Sequence, residues 1–146
     1  MVKVYLDNCC FNRPYDDQDI LLIRIETEVK LEIQDRIRSG LIDLVWSYIL
    51  DFENSQNPHE ERKEEISEWR NIAKEKIVES ESLLVAMRAI KKQGIKSIDA
   101  LHISCAAEAK CDYFITVDKG ILNKKHFVNT IKIRSPIDFI EEQESK

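Results

Sequence analysis

Val2-Lys3-Val4-Tyr5-Leu6-Asp7-Asn8 is the stretch that decides the fold: a run of β-forming residues that breaks off at an aspartate and an asparagine. A short apolar run of this kind reads as a strand buried on both faces, which belongs in the middle of a parallel sheet rather than at its edge. Tyr113 to Val117 repeats the pattern and also runs into a carboxylate, Asp118. In open parallel sheets ligands gather beyond the carboxyl ends of the strands, so Asp7 and Asp118 are expected on one rim.

The chain between and around these two strands alternates strands with helices. From Asp17 to Ser39, Leu22, Ile25, Val29, Ile33 and Ile37 recur at steps of three and four, with Asp16 or Asp17 available as a cap and Gly40 past the end, which predicts one long amphipathic helix after the turn-rich Asn12-Arg13-Pro14. Ile42 to Trp46 is the next strand, and Ser47 caps a helix carrying Tyr48, Ile49, Phe52 and Glu53 that ends before Asn57-Pro58. Pro58 to Lys76 is densely charged around Ile66, Trp69 and Ile72 or Ala73, a helix lying on the outside. An extended piece near Ile77-Val78, a helix from Ser82 to Gln93 closed by Gly94, and a strongly apolar helix from Ser97 to about Lys110 follow. After the Tyr113 strand come a short helix over Lys119 to Lys125 and a last strand at Ile131 to Ile133. This order predicts an α/β fold, a three-layer α/β/α domain with a central, mostly parallel sheet.

At 146 residues the chain reads as a single domain over 1–146, with a flexible acidic tail from about 141. Acidic residues outnumber basic ones 27 to 22, for a formal charge of −5, which argues against a protein that coats nucleic acid by charge alone. Any nucleic-acid contact must therefore be local. Arg13 and Lys119, with Lys96, Lys124, Lys125 and Arg134, adjoin the acidic segments, and the first two are candidate phosphate contacts. Cys9, Cys10, Cys105 and Cys111 have neither zinc nor redox spacing, and no stretch approaches membrane length, so a cytoplasmic protein with reduced thiols and no membrane contact is expected.

Two more carboxylates sit where charge is costly. Glu53 falls within the helical stripe of Ile49, Leu50 and Phe52, with Asp51 on the opposite, wet side. Asp99 occupies the first turn of the apolar helix, where the macrodipole favours it but burial demands a partner. With no equally placed lysines, clustered acids either take up protons or bind cations, and an all-oxygen set selects Mg²⁺ or Mn²⁺ over zinc. Phosphodiester hydrolysis is the natural chemistry of such a pocket. His102, one turn beyond Asp99, reads as a hydrogen-bonded core histidine and not as a ligand, and Phe11 and Tyr15 read as cover for the core.

Several familiar active sites are excluded. The chain has no Gly-x-Ser-x-Gly, no phosphate-cradling glycine loop and no His-Glu-x-x-His, and Cys9 stands where an aspartyl phosphatase needs its second aspartate. Only Asp7 lies at the end of the first strand, where a receiver-like module needs an acidic pair.

YLDN at Tyr5–Asn8, the segment Ser47–Glu53, SIDALHISCAA at Ser97–Ala107 and FITVDKGIL at Phe114–Leu122 are, in order and spacing, similar to the PIN-domain nucleases, particularly VapC-type ribonuclease toxins of type II toxin–antitoxin pairs. The resemblance covers nearly the whole chain. It implies that Asp7, Glu53, Asp99 and Asp118 form an acidic quartet holding Mg²⁺ or Mn²⁺, steadied by Asn8 and Thr116, and that the substrate is RNA. It also implies a homodimer and an antitoxin protein whose peptide lies in the groove beside the acids. Cys9-Cys10 departs from the pattern, since many relatives carry small or apolar residues there. The alternative within the same fold is a catalytically silent scaffold that binds a protein or RNA.

Overall fold

In the computed structural model, which describes residues 1–145, the chain forms five strands and eight α-helices. The strands are β1 Val2–Leu6, β2 Ile42–Ser47, β3 Glu75–Ile77, β4 Tyr113–Ile115 and β5 Lys132–Arg134. They make one sheet in the order β3-β2-β1-β4-β5, with every neighbouring pair parallel. β1 lies at the centre, and Val4, Tyr5 and Leu6 have no exposed surface, as a strand covered by helices on both faces requires. From β1 the chain moves outward through β2 and β3, then crosses back to β4 on the other side of β1. That reversal opens a crevice between β1 and β4, the place where such sheets bind ligands.

The helices are α1 Asn8–Asn12, α2 Leu21–Arg38, α3 Tyr48–Ser55, α4 Glu60–Ile72, α5 Glu81–Lys91, α6 Ser97–Glu108, α7 Lys119–Leu122 and α8 Pro136–Glu144. The three-layer α/β/α architecture read from the alternation of elements is the one observed. Ser47 and Ser80 cap α3 and α5 by accepting from the amides of Leu50 and Leu83. Gly40 and Gly94, at φ +78° and +92°, take the left-handed conformation just past α2 and α5, where a side chain would be strained.

Local differences from the sequence reading have physical causes. The turn-rich Asn12-Arg13-Pro14 is preceded by a helix, because Asp7 caps α1 through the Asn8 amide, and it continues as a 3-10 turn at Arg13–Tyr15. α2 begins at Leu21 rather than Asp17, since the Asp17 carboxylate accepts from the Asp19 amide and holds a turn instead. Its predicted stripe divides: Ile33 and Ile37 are buried, whereas Leu22 and Ile25 are exposed and Glu26, Thr27, Lys30 and Gln34 are buried in their place. The charged helix stops at Ile72, freeing Glu75–Ile77 to pair with β2 as an edge strand. The acidic end, expected as a loose tail, is the last turn of α8, which buries Phe139 edge-on against Tyr113 and pairs Glu144 with Arg36 and Glu142 with Arg134. Among the described residues, no helix is long and apolar enough to cross a membrane.

Candidate metal centre at the β1–β4 crevice

Asp7 follows β1 directly, and its place is set by the backbone: its amide donates to the Ile115 carbonyl of β4 at 2.9 Å. The side chain is buried at 5% exposure and fully engaged. Oδ1 accepts from the Asn8 amide at 2.8 Å, and Oδ2 accepts from the Thr116 hydroxyl at 2.8 Å and from the Cys9 thiol at 3.4 Å. Thr116, itself fully buried, accepts in turn from the Asp118 amide at 3.1 Å. Thr116 and Asn8 are therefore the residues that orient Asp7. Cys9, where the sequence departs from the family pattern, touches the same carboxylate, and its thiol pKa lies well above the ordinary value through a hydrogen bond with Cys10 and burial.

Glu53 reaches the same place from α3. Its carboxylate is hydrogen-bonded to His102 Nε2, and that nitrogen lies 3.8 Å from Asp7 Oδ1. Asp7, Glu53 and His102 can each present a ligand atom within 4.8 Å of the others. Of the stripe expected to carry Glu53, Ile49 and Leu50 are buried but Phe52 is exposed, and Asp51 accepts from the Trp46 indole at 2.8 Å. The inward turn of Glu53 comes from its bond to His102.

His102 behaves as the buried, hydrogen-bonded histidine that was expected, and it is also part of the acidic cluster, which the sequence reading missed. Its position three residues after Asp99 on α6 was the available signal, because residues so spaced share a helix face. Burial opposes its protonation, but the bond to Glu53 and the charges of Asp7, Glu53 and Asp99 outweigh it and raise its pKa above 6.5. Nδ1 lies 2.6 Å from the Tyr5 hydroxyl, which lies 2.6 Å from Ser47 Oγ. Tyr5 on β1 and Ser47 at the end of β2 thus fix the imidazole, and in its protonated form Nδ1–H donates to Tyr5 and Tyr5 donates to Ser47.

Asp99 and Asp118 fall outside this trio and line a small cleft of about 90 Å³ with Lys96 and Lys124, although Asp99 feels the charges of Asp7, His102 and Glu53. Burial, with the charges of Asp7 and Asp118 added, pushes Asp99 up to about 6. Asp118 is exposed, and its Oδ1 caps α7, accepting from Gly120 at 2.7 Å and Ile121 at 3.3 Å. On the other side, Asn8, Glu53, Asn57, His59 and Arg62 line an open groove of about 320 Å³. Arg13 turns to Asp16 at 3.0 Å and Glu26 at 3.4 Å, so its charge is engaged, while Lys119 is exposed at the start of α7. Among the described residues, no lysine or arginine forms an ion pair with any of the four acids.

Asp7, Glu53 and His102 could hold a metal ion, and the set contains an imidazole nitrogen where an all-oxygen one was expected. Asn8 Oδ1, next to Asp7, is buried without a hydrogen-bond partner, a polar atom that a hydrated ion would satisfy. No protein-family model matches this chain, and no curated protein matches its sequence.

Proposed function

We propose that this chain is a metal-dependent endoribonuclease of the PIN type, hydrolysing RNA phosphodiester bonds as the toxin of a type II toxin–antitoxin pair, with an antitoxin protein as its partner. The observation that carries this reading is the meeting of Asp7 and Glu53 with His102 at the reversal point of a parallel sheet, with Asp99 within reach of their charge and, among the described residues, no lysine or arginine paired to these acids. Asp7, Glu53, Asp99 and Asp118 are the residues that would hold Mg²⁺ or Mn²⁺, with His102 steadying Glu53. Such an ion, when bound, polarises the scissile phosphate and lowers the pKa of the attacking water. Thr116 and the Asn8 amide hold Asp7 in place for that task. Asp99, with a pKa of about 6, carries part of the proton load of the cluster near neutral pH. The groove containing His59 and Arg62 is open to a single RNA strand beside Glu53.

The test is cleavage of single-stranded and structured RNA by the purified chain, with Mn²⁺ or with EDTA, beside Asp7→Asn. Cleavage should need Mn²⁺ or Mg²⁺ and fall at least about 100-fold in the variant. Activity that survives chelation or the substitution refutes the assignment.

One observation favours the second reading, a silent scaffold. His102 lies against both Asp7 and Glu53, whose charges favour its protonated form, and in that form it offsets them without a metal. RNA that binds but stays intact in Mn²⁺ would select that reading.

A further inference from the structure

Lys30 and Gln34 are each only 4% exposed on α2, and one turn further on stands Arg38, so the three share one face of the helix. They line a cleft of about 450 Å³ between α2 and α4, away from the acidic cluster. Buried ammonium groups are paired in folded proteins because an isolated one costs several kcal/mol or more. Among the described residues, Lys30 has no hydrogen bond or ion pair, and Gln34 Nε2 is buried without a partner. Arg38 forms no ion pair either: its guanidinium lies 4.5 Å from the centre of the Trp69 ring, which fixes it over the cleft.

The acids near this cleft do not answer these donors. Glu65 is hydrogen-bonded to the Tyr15 hydroxyl, and Glu65 and Glu68 are exposed on α4. Burial lowers Lys30 to about 8, the Cys10 side chain raises it a little, and nearby Arg38 lowers it further; no carboxylate contributes. Two cations and an amide donor thus converge on a cleft that Glu65 and Glu68 also line, and among the described residues neither cation forms an ion pair with either acid.

We propose that the α2–α4 cleft is a binding site for a small molecule bearing an oxyanion, a phosphate or carboxylate group, held by Lys30, Gln34 and Arg38. The Lys30 ammonium and the Arg38 guanidinium supply charge, and Gln34 Nε2 supplies a directed hydrogen bond. The cleft is several times larger than the oxyanion, so the remainder of the ligand lies along Leu31 and Ile66 toward Tyr15. This site does not depend on the nuclease reading, because none of its residues belongs to the metal centre.

The full chain is titrated calorimetrically with inorganic phosphate and with citrate, at constant ionic strength in chloride. At least one should bind saturably with one site per chain, and the affinity should fall at least tenfold in Lys30→Met and in Gln34→Leu but not in the exposed-surface variant Lys76→Met. Phosphate binding alone assigns a phosphate-bearing ligand, and citrate binding alone a carboxylate. Absence of saturable binding for both probes, or equal binding in Lys30→Met and Gln34→Leu, overturns the proposal. Lys30→Met removes a buried charge and keeps the side-chain length, and Gln34→Leu provides a second, charge-neutral route to the same answer.

Discussion

Asp99 is the residue whose chemistry is most out of keeping with its position. A carboxyl raised from 3.8 to about 6 favours the protonated form in the folded state. Between those values the native chain holds more protons than the unfolded one, so stability falls as pH rises through that window, and the penalty is fully present at neutral pH. Asp99→Asn should therefore stabilise the metal-free protein at pH 7 by on the order of 1–2 kcal/mol, with the difference vanishing below about pH 4, as read from urea unfolding at both pH values. A variant no more stable at pH 7 than the parent would show that Asp99 is not crowded by Asp7 and Asp118. His102 works with the opposite sign. Its raised pKa contributes stability that is complete below 6.5 and disappears as pH climbs through the folded value. The sequence singled out the four acids as charges in costly positions. It did not show that an imidazole joins them, because a single histidine on an apolar helix reads the same whether it faces a carboxylate or a carbonyl.

α3 illustrates how an element delivers a side chain to the site. Ser47 ends β2, caps α3 through the Leu50 amide and meets the Tyr5 hydroxyl, so one hydroxyl ties the entry of α3 to the neighbouring strand. Ser47→Ala should cost about 2 kcal/mol, roughly 1 for the cap and the rest for the buried Tyr5 hydroxyl left short of a partner, measured by denaturant unfolding at constant m-value. A loss within 0.5 kcal/mol of zero would mean that the cap is redundant. α2 teaches the opposite lesson. Its apolar stripe was legible and its existence followed, but periodicity could not reveal that Leu21, Leu22 and Ile25 are exposed while Lys30 and Gln34 are buried. α8 was missed because its apolar content is slight, and only the docking of Phe139 against Tyr113 makes it part of the core.

Across the whole molecule, the acids repel one another in the folded state and lie far apart in the unfolded chain, so cation binding and folding are linked. A divalent ion that binds only the native state stabilises it by RT ln(1 + [L]/Kd), about 2.7 kcal/mol at a hundredfold excess over Kd. The melting temperature should rise steadily with Mn²⁺ concentration, return to its starting value on adding EDTA, and show no such rise in Asp7→Asn. A melting curve indifferent to Mn²⁺ would favour the scaffold.

The sequence by itself determined the fold class and the two central strands, because apolar runs of strand length that stop at a polar residue have few other places to go in a chain of this size. It also singled out Asp7 and Asp118, since both follow those runs directly. Only the tertiary structure decided which acids share a pocket with Asp7, that His102 lies between Asp7 and Glu53, and that α2 carries an unpaired lysine into a cleft. Those facts depend on which faces of separate helices meet, and periodicity within one helix specifies its own buried side without naming what lies across from it.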